Sequence, residues 1–193
     1  MEAFKKGASE LVPKLCNFVE EESEHTIVVT ALDSLTELLK HTKTGVTSLD
    51  KVPEMIVQCV SKIMKKECSC QDAEDEDGME EDEEAEEDEM LFEYAGEVLP
   101  NLGRAMSPDA FAPYFVGLLP WILKKTRKQA TLAERSFAVG ALADCVEPLL
   151  GQLDKFLPHV LPIFNEAIKV VLSSLVLWQT VPNWLFKETV VSI

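Results

Sequence analysis

Four segments of the chain carry apolar residues at three- and four-residue steps around a proline: residues 8–19 around Pro13, 49–64 around Pro53, 109–123 around Pro113 and 153–168 around Pro158. The steps are Leu15, Phe18 and Val19, then Ile56, Val57, Val60 and Ile63. Phe115, Leu118, Leu119 and Ile122 follow, and last Val160, Leu161, Ile163 and Phe164. Such spacing predicts helices with one buried stripe. Proline fits near a helix start, where its missing amide would be unpaired in any case. Pro120 and Pro162 lie deeper and are expected to bend or break their helices.

Three other segments alternate with these, at 26–41, 90–106 and 132–150, and each holds an Ala-x-x-x-Leu step: Ala31–Leu35, Ala95–Leu99 and Ala138–Leu142. A small residue one turn before a leucine lets a neighbouring helix pack closely. The β-branched residues do not alternate with polar ones, so strands are not expected. The chain therefore alternates first helices with second helices. Its prolines lie at 13, 53, 113 and 158, a period near 40–45 residues with one long interval. Ala31 follows Pro13 by 18 residues, but Ala95 follows Pro53 by 42, and the excess falls where residues 69–89 sit. The expected architecture is all-α: a right-handed HEAT-repeat or armadillo-like α-solenoid of about three and a half helix pairs over residues 1–169. A disordered acidic insertion at 69–89 interrupts it. Residues 170–193 read as a divergent apolar tail that leaves apolar surface exposed.

Charge sharpens the picture. The formal net charge is −16, from 34 acidic and 18 basic residues. Fourteen of the acids lie in residues 72–89, which contain no Lys or Arg, so the remaining 20 acids nearly balance the 18 bases. A local polyanion of this kind suits basic protein partners and repels nucleic acid. Its members are Asp72, Glu74, Asp75, Glu76, Asp77, Glu80, Glu81, Asp82, Glu83, Glu84, Glu86, Glu87, Asp88 and Glu89, all candidates for contact with basic cargo. Catalysis would need two carboxylates in different environments, and a solvated run gives none. The basic cluster Lys124, Lys125, Arg127 and Lys128 ends a first helix, where positive charge suits the helix dipole.

Five cysteines without a secretory signal point to a reducing compartment. Cys68-Ser69-Cys70 has no second pair to complete a metal site, and His25, His41 and His159 lack ligand spacing. No phosphate-cradling loop or nucleophile elbow occurs, so neither enzyme nor cofactor is expected. The longest apolar run, 170–178, is too short to span a bilayer.

Glu93-Tyr94-Ala95-Gly96-Glu97 follows the acidic run, and then come Phe111-Ala112-Pro113-Tyr114-Phe115, Leu118-Leu119-Pro120 and Glu134-Arg135-Ser136-Phe137-Ala138-Val139-Gly140. These stretches resemble the importin-β (karyopherin-β) nuclear transport receptors, and the likeness runs over residues 1–169. It implies a HEAT superhelix that shuttles between cytoplasm and nucleus. Such a receptor carries basic cargo, including histones and ribosomal proteins, and releases it on binding the GTPase Ran; the whole receptor also meets nucleoporins. The chain reads as a piece from the second half of such a receptor, lacking the Ran-binding end. In related solenoids the second helices line the concave face. Register of the Ala-x-x-x-Leu units puts Asp33 level with Glu97, and Glu37 level with Asn101 and Asp144. Asp33, Glu37, Glu97 and Asp144, together with Glu93, are then candidates for an acidic inner stripe. The alternative function is a histone-chaperone-like scaffold that shields basic proteins without moving them.

Overall fold

The computed structural model describes residues 2–42, 44–71 and 81–180. Its helices are α1 (Glu2–Glu21), α2 (His25–Thr42), the single turn α3 (Thr44–Thr47), α4 (Val52–Lys65), α5 (Glu81–Arg104), α6 (Pro108–Lys125), α7 (Leu132–Asp144) and α8 (Leu157–Thr180). Short 3-10 turns cover Ser69–Gln71 and Leu153–Lys155. No strand occurs among the described residues. The chain divides into two compact units, residues 1–154 and 155–193, and α8 belongs to the second.

Within the first unit the helices form two layers. The first helices α1, α4 and α6 pack side by side, and so do the second helices α2, α5 and α7. Each first helix also packs on its own second helix, α1 on α2, α4 on α5 and α6 on α7. This is the connectivity of a helical-repeat solenoid, in which neighbours in sequence are neighbours in space. The core between the layers takes Val12, Cys16 and Val19 from α1, Ile56, Val60 and Ile63 from α4, and Phe111, Phe115 and Leu118 from α6. Facing them are Leu32, Leu35 and Leu39 of α2, Leu91, Phe92, Leu99 and Leu102 of α5, and Ala138 and Leu142 of α7. The periodicity predicts most of the α4 and α6 stripes, with Val57 only half-buried. On α1 Leu15 is half-buried and Phe18 exposed, because the helix turns Val12, Cys16 and Val19 inward instead. On α8 Leu161 is exposed and Ile163 and Phe164 are half-buried.

The first helices start elsewhere than expected, α1 at Glu2 rather than 8, α4 at Val52 rather than 49 and α8 at Leu157 rather than 153. Four further differences each have a physical reason. Helix α5 begins at Glu81 rather than 90, so the second half of the acidic run is helical rather than disordered. Glutamate is a good helix former, and negative charge at a helix N-terminus is favoured by the macrodipole. Ser69–Gln71 is also ordered, because Cys68 and Cys70 on either side of Ser69 are buried. The helix expected over 132–150 stops at Asp144. Pro148 cannot supply the amide that would continue it and disfavours helix in the residue before it. The helix expected to end at 168 runs to Thr180 instead, through a stretch free of Gly and Pro. The rest of the expected tail, 181–193, and the acidic residues 72–80 lie outside the described residues.

The prolines also correct a simple rule. Pro53 and Pro158 lie at helix starts, but Pro13 is in the middle of α1 and Pro113 in the second turn of α6. Pro120 and Pro162 do not break their helices, which continue for at least a turn beyond each.

Two glycines of α5 set how closely its neighbours approach. A Cβ on Gly103 would lie 2.6 Å from Cβ of Pro148 and 2.7 Å from Cε1 of Phe111. Phe111 is fully buried, so it has no room to retreat. Gly103→Ala gains about 1 kcal/mol of helix propensity, but overpacking a buried site costs about 1–3 kcal/mol. With two rigid neighbours the second effect wins. Urea unfolding should show a net loss of about 1–2 kcal/mol with an unchanged m-value.

Candidate functional site

The second-helix layer carries a groove between α5 and α7. Its upper part, about 320 Å³, is lined by Glu86, Glu89, Met90, Glu93, Glu134 and Phe137, among others. The adjoining part, about 390 Å³, is lined by Glu93, Gly96, Glu97, Phe137, Gly140 and Asp144, among others. Glu93 and Phe137 belong to both, so one groove runs along the helix pair. Glu86, Glu89, Glu93 and Glu97 lie three or four residues apart on α5, a single stripe about 16 Å long at 1.5 Å per residue. Phe137 is half-buried in its floor and rests against the backbone of Gly96, where a Cβ would lie 2.0 Å from the ring.

Three of the five inner-stripe candidates, Glu93, Glu97 and Asp144, thus share one groove and are exposed. Asp33 and Glu37 are exposed on α2. They come close to Glu97 through Lys40, whose ammonium feels the charges of Glu37, Glu97 and Asp33. Lys40 Nζ donates to Glu37 at 2.9 Å, which holds the Glu37 carboxyl below its usual range. Arg104 Nε adds a second cation on this layer by pairing with Glu147 at 3.0 Å. The stripe is therefore acidic with basic punctuation. Lys40 was legible in the sequence, one turn after Glu37. Phe137 was not, since only the packing of α7 on Gly96 brings it into the groove.

The folded part of the acidic run is fastened at three points. His25 Nδ1 lies 3.0 Å from Glu87, an ion pair when the imidazole is protonated. Asp88 is only 6% exposed, pairs with Lys66, and accepts a hydrogen bond of 2.9 Å from Gln71 Nε2. Lys66 caps α4 in the left-handed region at φ 60°. Thr131 Oγ1 donates to Glu89 at 2.6 Å. Asp88 is thus a buried anchor, which corrects its place in a freely solvated polyanion. Asp72, Glu74, Asp75, Glu76, Asp77 and Glu80 lie outside the described residues, and Glu81, Asp82, Glu83 and Glu84 are placed on α5 by their backbone alone.

Behind the groove, α7 starts on a capping box: Thr131 Oγ1 accepts from Glu134 N, and Glu134 accepts from Thr131 N at 3.0 Å. Glu134 also pairs with Lys125, whose Nζ lies 3.8 Å above the Phe92 ring. Burial works against the Glu134 carboxylate, but the hydrogen bonds from Lys125 and the Thr131 amide outweigh it and hold its pKa below the usual range. The cysteines sit in the core. They are thiols rather than disulfides: Cys59 donates a hydrogen bond to Cys16, and burial pushes Cys68 up to about 12. Among the described residues no group of three or more His, Cys, Asp or Glu is placed to hold a metal, and no helix is long and apolar enough to cross a membrane.

No family model matches the chain. It is 34% identical over 163 residues to human Importin-4, covering 83% of this chain and 15% of the relative. To mouse Importin-4 it is 36% identical over 155 residues, 79% of this chain and 14% of the relative. The chain belongs to the importin-β family. It spans about one seventh of the length of these curated relatives. The two-layer stack is accordingly a run of HEAT repeats, and the acidic groove lies between the second helices of consecutive importin repeats.

Glu134→Gln keeps the shape of the side chain but removes the charge that answers Lys125. At neutral pH it should cost about 1–3 kcal/mol in chemical unfolding, through a weakened cap and an unpaired, largely covered ammonium. The folded-state pKa of Glu134 is depressed, so this stabilisation is present above its unfolded pKa. It is lost as pH falls through the lower folded value. The gap between wild type and variant should close over that acid window.

Proposed function

We propose that this importin-family chain holds basic protein cargo by laying a Lys/Arg-rich segment along the α5–α7 groove. The observation that supports the reading is the stripe of Glu86, Glu89, Glu93 and Glu97, with Asp144 opposite and Phe137 as floor. An extended peptide of about five residues covers 16 Å at roughly 3.3 Å per residue. Its ammonium or guanidinium groups meet the carboxylates, while aliphatic stems and one cation lie over the Phe137 ring. Histones and ribosomal proteins have the required chemistry. The acids at 72–84 act ahead of the groove as a concentration of negative charge that raises the encounter rate. In the full-length receptor this binding serves nucleocytoplasmic import, with Ran releasing cargo, nucleoporins guiding passage, and shuttling between cytoplasm and nucleus.

A second reading rests on the same acidic helical surface: a chaperone-like scaffold that shields basic proteins without moving them. Adding Ran–GTP to the longest natural chain loaded with a histone separates the two, since only a transport receptor gives up its cargo.

The groove is tested with a fluorescent Lys/Arg-rich peptide and the triple variant Glu93→Gln, Glu97→Gln, Asp144→Asn. Exposed charge pairs contribute about 0.2–1 kcal/mol each, so affinity should fall roughly tenfold at low salt. The difference should shrink as salt rises, because screening acts over about 10 Å at 0.1 M. Equal affinities at low salt would place the cargo elsewhere. Neutralising only the acids at 72–80 should slow association and leave the dissociation rate nearly unchanged, as stopped-flow fluorescence can measure. Deleting 71–89 is a poor test, because it would also remove Gln71, Asp88 and the first turns of α5.

A further inference from the structure

Two thiols meet where the first helices of consecutive repeats pack. Cys16 on α1 and Cys59 on α4 are 43 residues apart in sequence. The packing of α1 on α4 brings them together in the core, 3% and 0% exposed. The Cys59 thiol donates a hydrogen bond to the Cys16 sulfur. One turn further along both helices, Lys62 Nζ donates to the Glu20 carboxylate at 2.6 Å, so the two contacts run in register down one seam. Cys68 is buried too, close enough to Cys59 for its charge to be felt there. Cys145 is buried apart from them at the end of α7, where the groups acting on it are Asp144 and Arg104.

We propose that Cys16 and Cys59 form an oxidation site, closed by hydrogen peroxide into a disulfide that staples α1 to α4. In a reducing compartment such a bond is transient and regulatory rather than structural. The hydrogen bond from Cys59 divides the roles. It is the largest influence on Cys16 and holds that thiol below its ordinary range, against burial and the charge of Glu20. Thiolate is the attacking form, so Cys16 is the nucleophile. The same bond and burial push the Cys59 thiol up, which makes it the resolving partner. The Cys16 thiolate attacks one peroxide oxygen and the O–O bond breaks. The hydroxide released takes up the proton that Cys16 gave to solvent and leaves as water. Cys16 is then a sulfenic acid. The Cys59 sulfur attacks the Cys16 sulfur, its proton passes to the departing hydroxide, the S–O bond breaks and a second water leaves. Two thiols are oxidised and one peroxide is reduced. A thiol reductant reverses the link by exchange.

Burial makes entry the slow step. The pair reacts during brief local opening of the seam, and a peroxide needs less opening than a bulky disulfide. The consequence is mechanical. Repeats of a solenoid touch only their neighbours, and the small rotation from one to the next sets the curvature of the stack. A staple between α1 and α4 fixes that rotation at one junction. It also closes a loop of 43 residues, which restricts the unfolded chain.

The test treats the full chain with hydrogen peroxide, alkylates it and digests it with trypsin without reduction. Cys16 falls in peptide 15–40, Cys59 in 52–62, and Cys68 and Cys70 in 67–104. Mass spectrometry should find 15–40 joined to 52–62, two hydrogens lighter than the separate peptides and parted again by dithiothreitol. The oxidised chain should melt about 5–15 °C above the reduced one. In Cys59→Ala, with its helicity checked by circular dichroism, a sulfenic acid at Cys16 should accumulate and be trapped by dimedone. An unoxidised pair, links to 67–104 in place of this one, or a link that forms only in urea overturns the assignment. A melting temperature that does not rise overturns the staple, and a folded variant without the dimedone adduct overturns the order of the two steps. The wild-type map needs no substitution, so it decides the case even where the variant fails to fold. None of these outcomes bears on the α5–α7 groove, which contains neither cysteine.

Discussion

Where Phe137 of α7 lies on the bare backbone of Gly96, helix α5 is drawn against its neighbour so closely that a side chain at 96 would meet the ring at 2.0 Å. The same helix receives Phe111 and Pro148 at Gly103, and it packs against α2 on its other flank with Ala31 and Ala95 both buried. Close approach of second helices across small residues is what fixes the layer. It brings α5 into contact with α2, α4 and α7 at once. A wider spacing would flood the junction and leave Leu99, Leu102 and Leu142 only partly covered. Burial of such side chains is the main favourable term, at about 1.5–3 kcal/mol each. The groove is the outer edge of this contact, so its floor and its carboxylates are placed by the same packing that holds the core.

Most of the fold was legible because repeats announce themselves twice, through apolar periodicity and through register. The Ala-x-x-x-Leu units of α2, α5 and α7 predict both which helices pair and which residues are inside. Ala31, Ala95, Ala138, Leu35, Leu99 and Leu142 are all buried. Helix ends were harder. Asp144 and Thr180 were missed because Pro148 and the absence of early breakers outweigh the apolar pattern that suggested 150 and 168. The start of α5 was missed for a different reason: a run of carboxylates reads as solvated loop, and nothing local in it says that His25, Lys66, Gln71 and Thr131 will come to meet it. Those partners lie on other elements, brought in by tertiary packing alone. The candidate stripe was half legible. Register pointed to Glu97 and Asp144, with Glu93 beside them, but Phe137 depends on α7 packing on Gly96, and the extension of the stripe to Glu86 and Glu89 on α5 beginning at Glu81.

Once the second half of the acidic run is helical, its charges are no longer equivalent. The 3.6-residue period sorts them by direction. Glu87 and Asp88 turn toward the body and meet His25, Lys66 and Gln71, while Glu86 and Glu89 line the groove that Glu93 and Glu97 continue. Helix formation thus converts part of an undirected polyanion into an oriented stripe. Asp88 has exchanged hydration for a pair and a hydrogen bond, which makes it an anchor and removes it from long-range attraction. The exposed charge is smaller than the count of fourteen suggests, but what lines the groove points one way. A flexible polyanion gathers cations without selecting among them, whereas carboxylates at fixed helical intervals reward a particular spacing of Lys and Arg. Gln71 and Lys66 hold Asp88 against the body, and with it the direction in which the carboxylates of the groove side face.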